Sequence, residues 1–481
     1  MRELRIAELT PGFTFAVPIF HKSGNLLFRE GENLTHTHLQ ALRAANVESV
    51  YECPTEHDLS DLLAGVVKRP VPLLSFSPDQ PIEQNIFDRH NRFLLKKTGV
   101  IKRPLFESLF EKGMDTVYID TEEDQKQLRD FSFTLIQENA RKLDERFADP
   151  ALLGIEHGRS AVEDLVKKRP ATRSAREIEA AAAVRTGILQ ETRECLGILR
   201  VNDAPVDGET LRRMSAGLRE SLFKDLDLAL NSTRLKGEMS QWWVDHSVNV
   251  ATLCLAMGAD IGLTEEHLHH LGRAALLHEI GMMRIVPIAL REGPLDALGW
   301  TEIKRHPIYA LDYLERVTGL TDPERLSVYQ EHERFDGSGY PRERTGRQVH
   351  AFAKILALAD IYEAATSPRS YRAALLPYRA VEEIVRLGSK RVLDPVFVRS
   401  FLRVMGLFPV GSWVRLSTRE VGRVTGIHPE PFDRPVVRVL YDAGGQPLDA
   451  PRLVGLQEQK DIRVVEAVDP EGLPADPALG F

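Results

Sequence analysis

Residues 331–341 read EHERFDGSGYP, and the fold and the function are most readily inferred from this stretch. Its glycines, Gly337 and Gly339, permit a tight turn with a positive φ. Pro341 restricts the residue before it, Tyr340, to an extended backbone. An aromatic ring presented on such a turn can contact a partner, but a purely structural turn is an equally good interpretation.

A helix predicted upstream ends on a histidine and an acid. Thr264 is a suitable N-cap and is followed by two acids, which stabilise the first turn of a helix. Leu271, Ala275 and His278 then fall on one face of a helix predicted over 268–280. We therefore expect His278 to point into the interior with Glu279 beside it.

Two further histidines follow the same pattern. His246 shares a helical face with apolar residues over 245–257, and His306 ends a third amphipathic segment with Trp300 and Ile303 on its inner side. A histidine on an apolar face is more often a hydrogen-bonded core residue than a ligand. The three histidines at 267, 269 and 270 lie near a helix start, and we expect them on the surface.

Asp360 lies within an otherwise apolar helix predicted over 355–365. A buried charge without a partner is very costly. Interior histidines together with interior carboxylates indicate that the partner is metal, and this mixture of ligands suits iron, manganese or zinc. A carboxylate can bridge two ions about 3.5–4 Å apart, which is the spacing used for phosphoester cleavage.

The order of these residues along the chain resembles the HD-GYP family, a branch of the HD phosphohydrolases. The resemblance covers about residues 236–405. It rests on the histidines and acids above, on the Asp-Gly-Ser-Gly-Tyr-Pro string at 336–341, on Gly293-Pro294-Leu295, and on Arg369-Ser370-Tyr371-Arg372. Such a domain is an all-α helical bundle, so the resemblance implies one here.

The resemblance implies hydrolysis of cyclic di-GMP to pGpG or GMP at two divalent metal ions, iron or manganese, with a metal-activated water attacking phosphorus. His278 and Glu279 carry the catalytic signature. Arg369 and Arg372 match positions that bind the ligand, and Gly339, Tyr340 and Pro341 form a loop implicated in contacts with diguanylate cyclase (GGDEF) domains. The implied metal ligands are His246, His278, Glu279, His306, Glu331, His332 and Asp360.

This chain departs from the family pattern at four positions. Glu279 stands where the family has aspartate, and Glu331 stands where it often has histidine. Met282 occupies a substrate-side position that often holds lysine, so one phosphate contact is missing. Trp242 replaces a glutamate that gives some members a third metal, so we expect two metals at most. Two hypotheses stay open: an active phosphodiesterase, which we favour, or a degenerate domain that senses cyclic di-GMP or docks a partner.

The rest of the chain predicts a multidomain α+β protein. Pairs such as Ile19-Phe20 and Ile86-Phe87, or Val50-Tyr51 and Val117-Tyr118, recur at one offset of 67 residues. Each copy indicates a hairpin, a helix and a strand, so 1–125 is predicted to be a tandem α/β repeat module, either regulatory or plain scaffold. We predict a helical linker region over 126–235, the metal phosphohydrolase domain over 236–405, and a β-rich, barrel-like cap over 408–470.

Composition narrows the class of protein. The 481 residues carry a net charge of −8, which argues against a general nucleic-acid binder. The three cysteines are scattered, which fits a reducing compartment and excludes a disulfide framework. The first residues lack the apolar core of a signal peptide, and no apolar run is long enough to span a membrane. We expect a cytoplasmic protein without a membrane span, with a homodimer as a further open prediction.

Overall fold

A computed structural model describes the whole chain except residues 56–57, 60, 63–67, 77–85, 89–92, 96–108, 110–113, 115, 157, 169–173, 202–204, 234–241, 286–296, 368–373 and 470–481. The described part is mostly helical, with two sheets near the N-terminus and a third near the C-terminus. The chain divides into two compact units. The first comprises residues 1–142 and 198–204, and the second comprises residues 143–197 and 205–481.

The first unit begins with a four-stranded antiparallel sheet in the order β1-β4-β2-β3. Its core contains Phe15, Ile19, Phe28, Leu42 and Val50, all essentially buried. The helix is capped at Thr35, whose side chain accepts from His38 N. The elements are β1 (Arg2–Arg5), β2 (Ile19–Phe20), β3 (Leu26–Phe28), α1 (His36–Ala44) and β4 (Ser49–Glu52).

A second sheet repeats this arrangement in the order β5-β8-β6-β7. Each of its strands begins and ends 67 residues after its counterpart, at the offset that the sequence predicts. The strands before each hairpin, β1 and β5, were not part of that prediction. The helix expected in the second copy lies outside the described residues except for Leu109. The strands are β5 (Arg69–Pro72), β6 (Ile86–Phe87), β7 (Phe93–Leu95) and β8 (Thr116–Ile119).

Helices follow the second sheet. The first of them, α2, begins in the first unit and ends in the second. These helices are α2 (Glu122–Arg146), α3 (Val162–Lys167), α4 (Ala175–Val201), α5 (Gly208–Lys224) and α6 (Leu226–Ser232).

A helical bundle in the second unit carries the predicted site. Helix α7 packs against α8 and α12, and α11 packs against α8, α10 and α12. The starts of α8 and α11 have threonine caps at Thr264 and Thr321, as N-cap preferences predict. The elements are α7 (Trp242–Asp260), α8 (Glu265–Leu277), a 3₁₀ helix (His278–Arg284), α9 (Ala297–Ile303), α10 (His306–Leu314), α11 (Asp322–Gln330), α12 (Ala351–Thr366), α13 (Pro377–Ser389) and α14 (Pro395–Met405).

Three local predictions were wrong. His306 does not end a helix but begins α10, because Pro307 has no N–H to donate and is tolerated only in a first turn. Trp300 does not lie on an inner side, since it is 52% exposed on α9. His269 is buried on α8 instead of lying on the surface.

The C-terminal region is a five-stranded antiparallel sheet in the order β12-β11-β10-β9-β13. Alternate residues of β11 are buried, namely Val437, Val439 and Tyr441, as the period-two pattern predicts. The strands are β9 (Trp413–Leu416), β10 (Val421–Gly426), β11 (Val436–Tyr441), β12 (Pro447–Gly455) and β13 (Val464–Val468). In the described part of the chain, no helix is long and apolar enough to cross a membrane.

Candidate metal centre

Helices α7 and α12 and the 3₁₀ helix bring three ligand-type side chains together in the interior. His246 Nε2 lies 3.1 Å from His278 Nε2 and 3.3 Å from Asp360 Oδ1. Both histidines are buried, and Asp360 is 8% exposed. We call His246, His278 and Asp360 the His246 cluster.

A second group forms where α10 begins and where α11 ends. His306 Nε2 lies 3.1 Å from Glu331 Oε1 and 3.1 Å from His332 Nε2. Glu331 is fully buried. We call His306, Glu331 and His332 the Glu331 cluster.

Glu279 lies between the two clusters. Its Oε1 is 3.9 Å from His246 Nε2, and its Oε2 is 3.7 Å from His306 Nε2. Each oxygen of one carboxylate therefore faces a different cluster. The extra methylene that distinguishes glutamate from aspartate does not remove the side chain from this position. The structure thus brings all seven predicted ligands into two adjoining groups; their assignment as metal ligands stays a prediction.

Hydrogen bonds on the far side of the rings direct several Nε2 atoms toward these clusters. His278 Nδ1 lies 2.8 Å from Ala275 O, and His306 Nδ1 lies 2.7 Å from Ile303 O. A carbonyl only accepts hydrogen bonds, so each Nδ1 carries the proton and each Nε2 presents a lone pair. This is the tautomer that a metal-binding histidine needs.

Burial controls the charge of the clusters. It lowers the pKa of His278 and holds the pKa of His332 well below its usual value, so both imidazoles favour the neutral form. Burial, reinforced by the charges of Glu279 and Asp360, raises the pKa of Glu331 well above its usual value. Burial therefore disfavours charge on Glu331 and on both of these imidazoles, whereas the hydrogen bond to His246 lowers the pKa of Asp360 despite its burial.

These observations fit a metal site. Imidazole nitrogens and a carboxylate oxygen face one another across 3.1–3.3 Å in the His246 cluster. Glu279 Oε2 and Glu331 Oε2 are buried and accept no hydrogen bond from the described residues. A cation in each cluster would satisfy these atoms, and mixed imidazole and carboxylate ligands suit divalent transition metals.

The loop over 337–341 turns back onto the Glu331 cluster. Gly337 has a φ of 84°, as the turn prediction requires, and a Cβ on Gly339 would lie 2.4 Å from His332 O. The half-buried ring of Tyr340 stacks on the His332 ring at a centroid distance of 4.7 Å. Pro341 follows it, half-buried. The contacts of Tyr340 are thus with a predicted metal ligand.

Other predicted positions give less information. Arg369 and Arg372 lie outside the described residues, as do Gly293-Pro294-Leu295 and the side chain of Trp242. Met282 is half-buried on the 3₁₀ helix, one turn after Glu279.

Comparison with known proteins identifies the bundle. Residues 227–396 match the HD domain family, and residues 413–475 match the KOW domain associated with HD domain. The chain is 31% identical over 228 residues to the cyclic di-GMP phosphodiesterase PA4108 of Pseudomonas aeruginosa, covering 46% of this chain and 53% of that protein. Residues 227–396 are therefore an HD domain. Its motif resembles the HD-GYP branch, and we call it the HD-GYP domain. HD domains are metal-dependent, and the two clusters are the candidate metal-binding groups of this HD-GYP domain.

Other relatives differ in the substrate that their names carry. The 3′3′-cGAMP-specific phosphodiesterase 3 of Vibrio cholerae is 28% identical over 171 residues, covering 35% of this chain and 37% of that protein. Among solved structures, Bd1817, described as an HDG"Y"P protein from Bdellovibrio bacteriovorus, is 14% identical with a TM-score of 0.40, covering 70% of this chain and 98% of that one. The chain thus spans about half the length or less of these curated relatives.

The HD-GYP domain also contains a buried acid that the sequence analysis missed. Glu363 lies one helical turn after Asp360 on α12, and its carboxylate is hydrogen-bonded to His246 Nδ1. A second acid three residues after the first, in the same apolar helix, was the signal in the sequence that could have revealed it.

Proposed function

We propose that this chain is a metal-dependent phosphodiesterase that hydrolyses cyclic di-GMP. The observation that carries the proposal is the position of Glu279, which offers one carboxylate oxygen to each of two histidine-containing clusters. Two divalent ions, iron or manganese, fit ligands of this kind. The names of relatives in Pseudomonas aeruginosa and Vibrio cholerae support a cyclic dinucleotide as the substrate.

The side chains of the site have separate roles under this proposal. Bound divalent ions would lower the pKa of a water molecule and offset the charge of a phosphodiester. Glu279 holds the two clusters together, and the carbonyls of Ala275 and Ile303 keep the protons of His278 and His306 on Nδ1. Tyr340 covers one side of His332 and limits the access of bulk water to that ring.

Arg369 and Arg372 are proposed to bind the substrate, since guanidinium groups pair with phosphate through two hydrogen bonds. Met282 lies one turn from Glu279, where a longer polar side chain would meet the same phosphate. The methionine supplies neither charge nor a hydrogen-bond donor. We therefore expect weaker substrate binding than a lysine would give.

The decisive experiment incubates iron- or manganese-loaded full-length protein with cyclic di-GMP and separates the products by chromatography. We expect pGpG or GMP, with no product from the Asp360→Ala variant. Parallel reactions with 3′3′-cGAMP test the substrate that other relatives carry in their names. Binding of cyclic di-GMP without any turnover by metal-loaded protein would contradict the proposal.

That last outcome would support the second candidate function, a cyclic di-GMP sensor or docking module. Met282 and Glu279 favour it, because both depart from the family pattern, one at the phosphate contact and the other at the catalytic signature. Contact of the 339–341 loop with diguanylate cyclase domains stays a prediction. The stacking of Tyr340 on His332 supports a second role for this loop, holding a ligand in place. A regulatory role for the N-terminal repeats is likewise a proposal.

A further inference from the structure

A buried carboxylate outside the seven predicted ligands contacts one of them, His246, on the side of its ring that faces away from the cluster. Glu363 is 3% exposed, and its Oε2 is hydrogen-bonded to His246 Nδ1. Its other oxygen, Oε1, accepts from Asn249 Nδ2 at 3.0 Å and from Ser367 Oγ at 2.6 Å. Three groups, two from α7 and one from the residue after α12, therefore converge on one carboxylate.

The spacing on α12 explains how one helix contacts both ring nitrogens of His246. Asp360 and Glu363 are three residues apart and lie on the same helical face. Asp360 Oδ1 lies 3.3 Å from Nε2, whereas Glu363 is bonded to Nδ1 on the opposite side of the ring. An ionised carboxylate only accepts hydrogen bonds, so Glu363 keeps the proton on Nδ1 and leaves the Nε2 lone pair for the cluster.

His246 differs in this respect from the histidines that local carbonyls orient. His278 and His306 bond to carbonyls three residues earlier in their own segments, so their orientation follows from local backbone structure. His246 depends on a residue 117 positions away. A carboxylate also makes the imidazole a stronger metal ligand than a neutral carbonyl does, because it stabilises positive charge on the ring.

We propose that Glu363 is a positioning residue that orients His246 for metal binding, and that Asn249 and Ser367 hold its carboxylate in place. This inference rests on the metal site of the proposed function. The two donors to Oε1 compensate for burying the carboxylate and stop it from rotating away from His246. Loss of Glu363 therefore weakens metal binding at the His246 cluster without removing any ligand.

The test measures metal affinity in Glu363→Gln by competition of Mn²⁺ or Co²⁺ with a chelator, using full-length protein. Outer partners of metal-binding histidines typically contribute about 10–100-fold in affinity, and we expect a loss in that range. The visible spectrum of bound Co²⁺ should also shift, which a purely structural role would not cause. Glu382→Gln is the matched control, since Glu382 is an exposed carboxylate paired with Arg379, and it should retain wild-type affinity.

Asn249→Ala and Ser367→Ala test the same inference should Glu363→Gln fail to fold. Each removes one donor and should weaken metal binding several-fold while the metal-free protein keeps its helical circular dichroism. Wild-type affinity and an unchanged Co²⁺ spectrum in folded Glu363→Gln, or in both alanine variants, would overturn the inference. Turnover separates this result from the proposed function. A protein that needs Glu363 for metal but leaves cyclic di-GMP intact refutes the function alone, and a wild-type protein that binds no metal refutes both.

Discussion

The N-terminal unit and the candidate metal centre both bury charged side chains, but they do so in opposite ways. In the N-terminal unit, the fully buried Lys68 ammonium lies 2.5 Å from Asp120 Oδ1 and donates to Ser23 O at 3.0 Å. Asn25 Nδ2 donates to the other Asp120 oxygen at 2.8 Å. Positive and negative charge balance there, and both carboxylate oxygens have partners.

At the candidate metal centre this balance is missing. Glu279, Glu331 and Asp360 lie among histidines, and one oxygen of each glutamate accepts no hydrogen bond within the described part of the chain. A protein can bury an ion pair for structure when its own groups complete it. Buried acceptors that its own groups leave unsatisfied fit an external cation, so the comparison separates a completed ion pair from a candidate metal site.

The largest expected effect is the loss of metal from both clusters in Glu279→Ala. Elemental analysis of anaerobically prepared wild-type protein should give up to two first-row metals per chain. Glu279→Ala should retain none, because each cluster loses a ligand oxygen, whereas His278→Ala or Asp360→Ala should lose the metal of the His246 cluster alone. We expect the affinity loss to exceed the roughly 100-fold that outer partners can contribute.

Glu266→Ala is the control for this series, since Glu266 is an exposed acid on the same helix as the residues before His278. It should bind metal as the wild-type protein does. Full metal content in the three site variants would refute the assignment of these residues as ligands.

The next largest effect tests the buried ion pair between Lys68 and Asp120 in the N-terminal unit. Lys68→Met leaves Asp120 buried without its cation, which typically costs about 3–5 kcal/mol. Urea unfolding, monitored by proteolysis of the N-terminal unit, should show this loss of unfolding free energy. The metal content should stay unchanged. Arg5→Met is the control, because the exposed Arg5 pairs with the exposed Glu8, and its loss should cost less than about 1 kcal/mol.

A double variant, Lys68→Met with Asp120→Leu, sharpens the same test. Removing both charges should recover most of the lost stability, since an apolar pair of similar volume often replaces a buried ion pair without cost. A double variant as unstable as the single one would mean that packing, and not charge balance, determines the role of Lys68.

Met282→Lys tests whether a positive charge beside Glu279, at the candidate metal centre, improves substrate binding or turnover. Side chains three residues apart are aligned in a 3₁₀ helix, so a lysine at 282 would lie beside Glu279. A charge-assisted hydrogen bond contributes roughly 1.5–3 kcal/mol, or about ten- to a hundredfold in binding or rate. Cyclic di-GMP affinity or turnover should rise by this factor, while the uncharged Met282→Leu should change neither.

If metal content is unchanged and neither binding nor turnover improves in Met282→Lys, then residue 282 does not line the ligand site. The assignment of Arg369 and Arg372 as phosphate contacts would then lose its main support, since it rests on the same alignment with the family.

The smallest expected effect is on the pH dependence of stability, and it concerns His350, an ionisable side chain that is buried in its neutral form. Burial lowers the pKa of His350 to about 4, and its Nδ1 accepts from Phe352 N as the N-cap of α12. Because the folded-state pKa lies below the unfolded value of about 6.5, the stabilising contribution is complete above pH 6.5. It is lost as the pH falls toward 4, by up to roughly 3 kcal/mol.

His350→Asn keeps a capping side chain that cannot titrate. The metal-free variant should therefore lose less stability than the wild type between pH 7 and pH 4. The slopes of unfolding free energy against pH should differ by the uptake of about one proton. Parallel pH curves for the two proteins would show that His350 takes up its proton without cost.

Sequence reasoning succeeded where local pattern carries the information. The order of histidines and acids, through its resemblance to a known family, predicted all seven residues that the structure brings together, and a fixed offset was sufficient to predict which strands repeat. It failed where neighbouring elements decide the outcome. The start of α10 at His306 and the burial of His269 depend on how helices pack, and helical periodicity does not show which face another helix will cover.

The sequence by itself determined which groups can bind metal, because residue type sets donor chemistry and helical spacing sets which side chains share a face. Only the tertiary structure showed that Glu279 faces two clusters and that the Glu363 carboxylate is hydrogen-bonded to Nδ1 of His246. These relations join residues on different helices, some more than a hundred positions apart. No local spacing encodes such distances, since they depend on the packing of whole helices against one another.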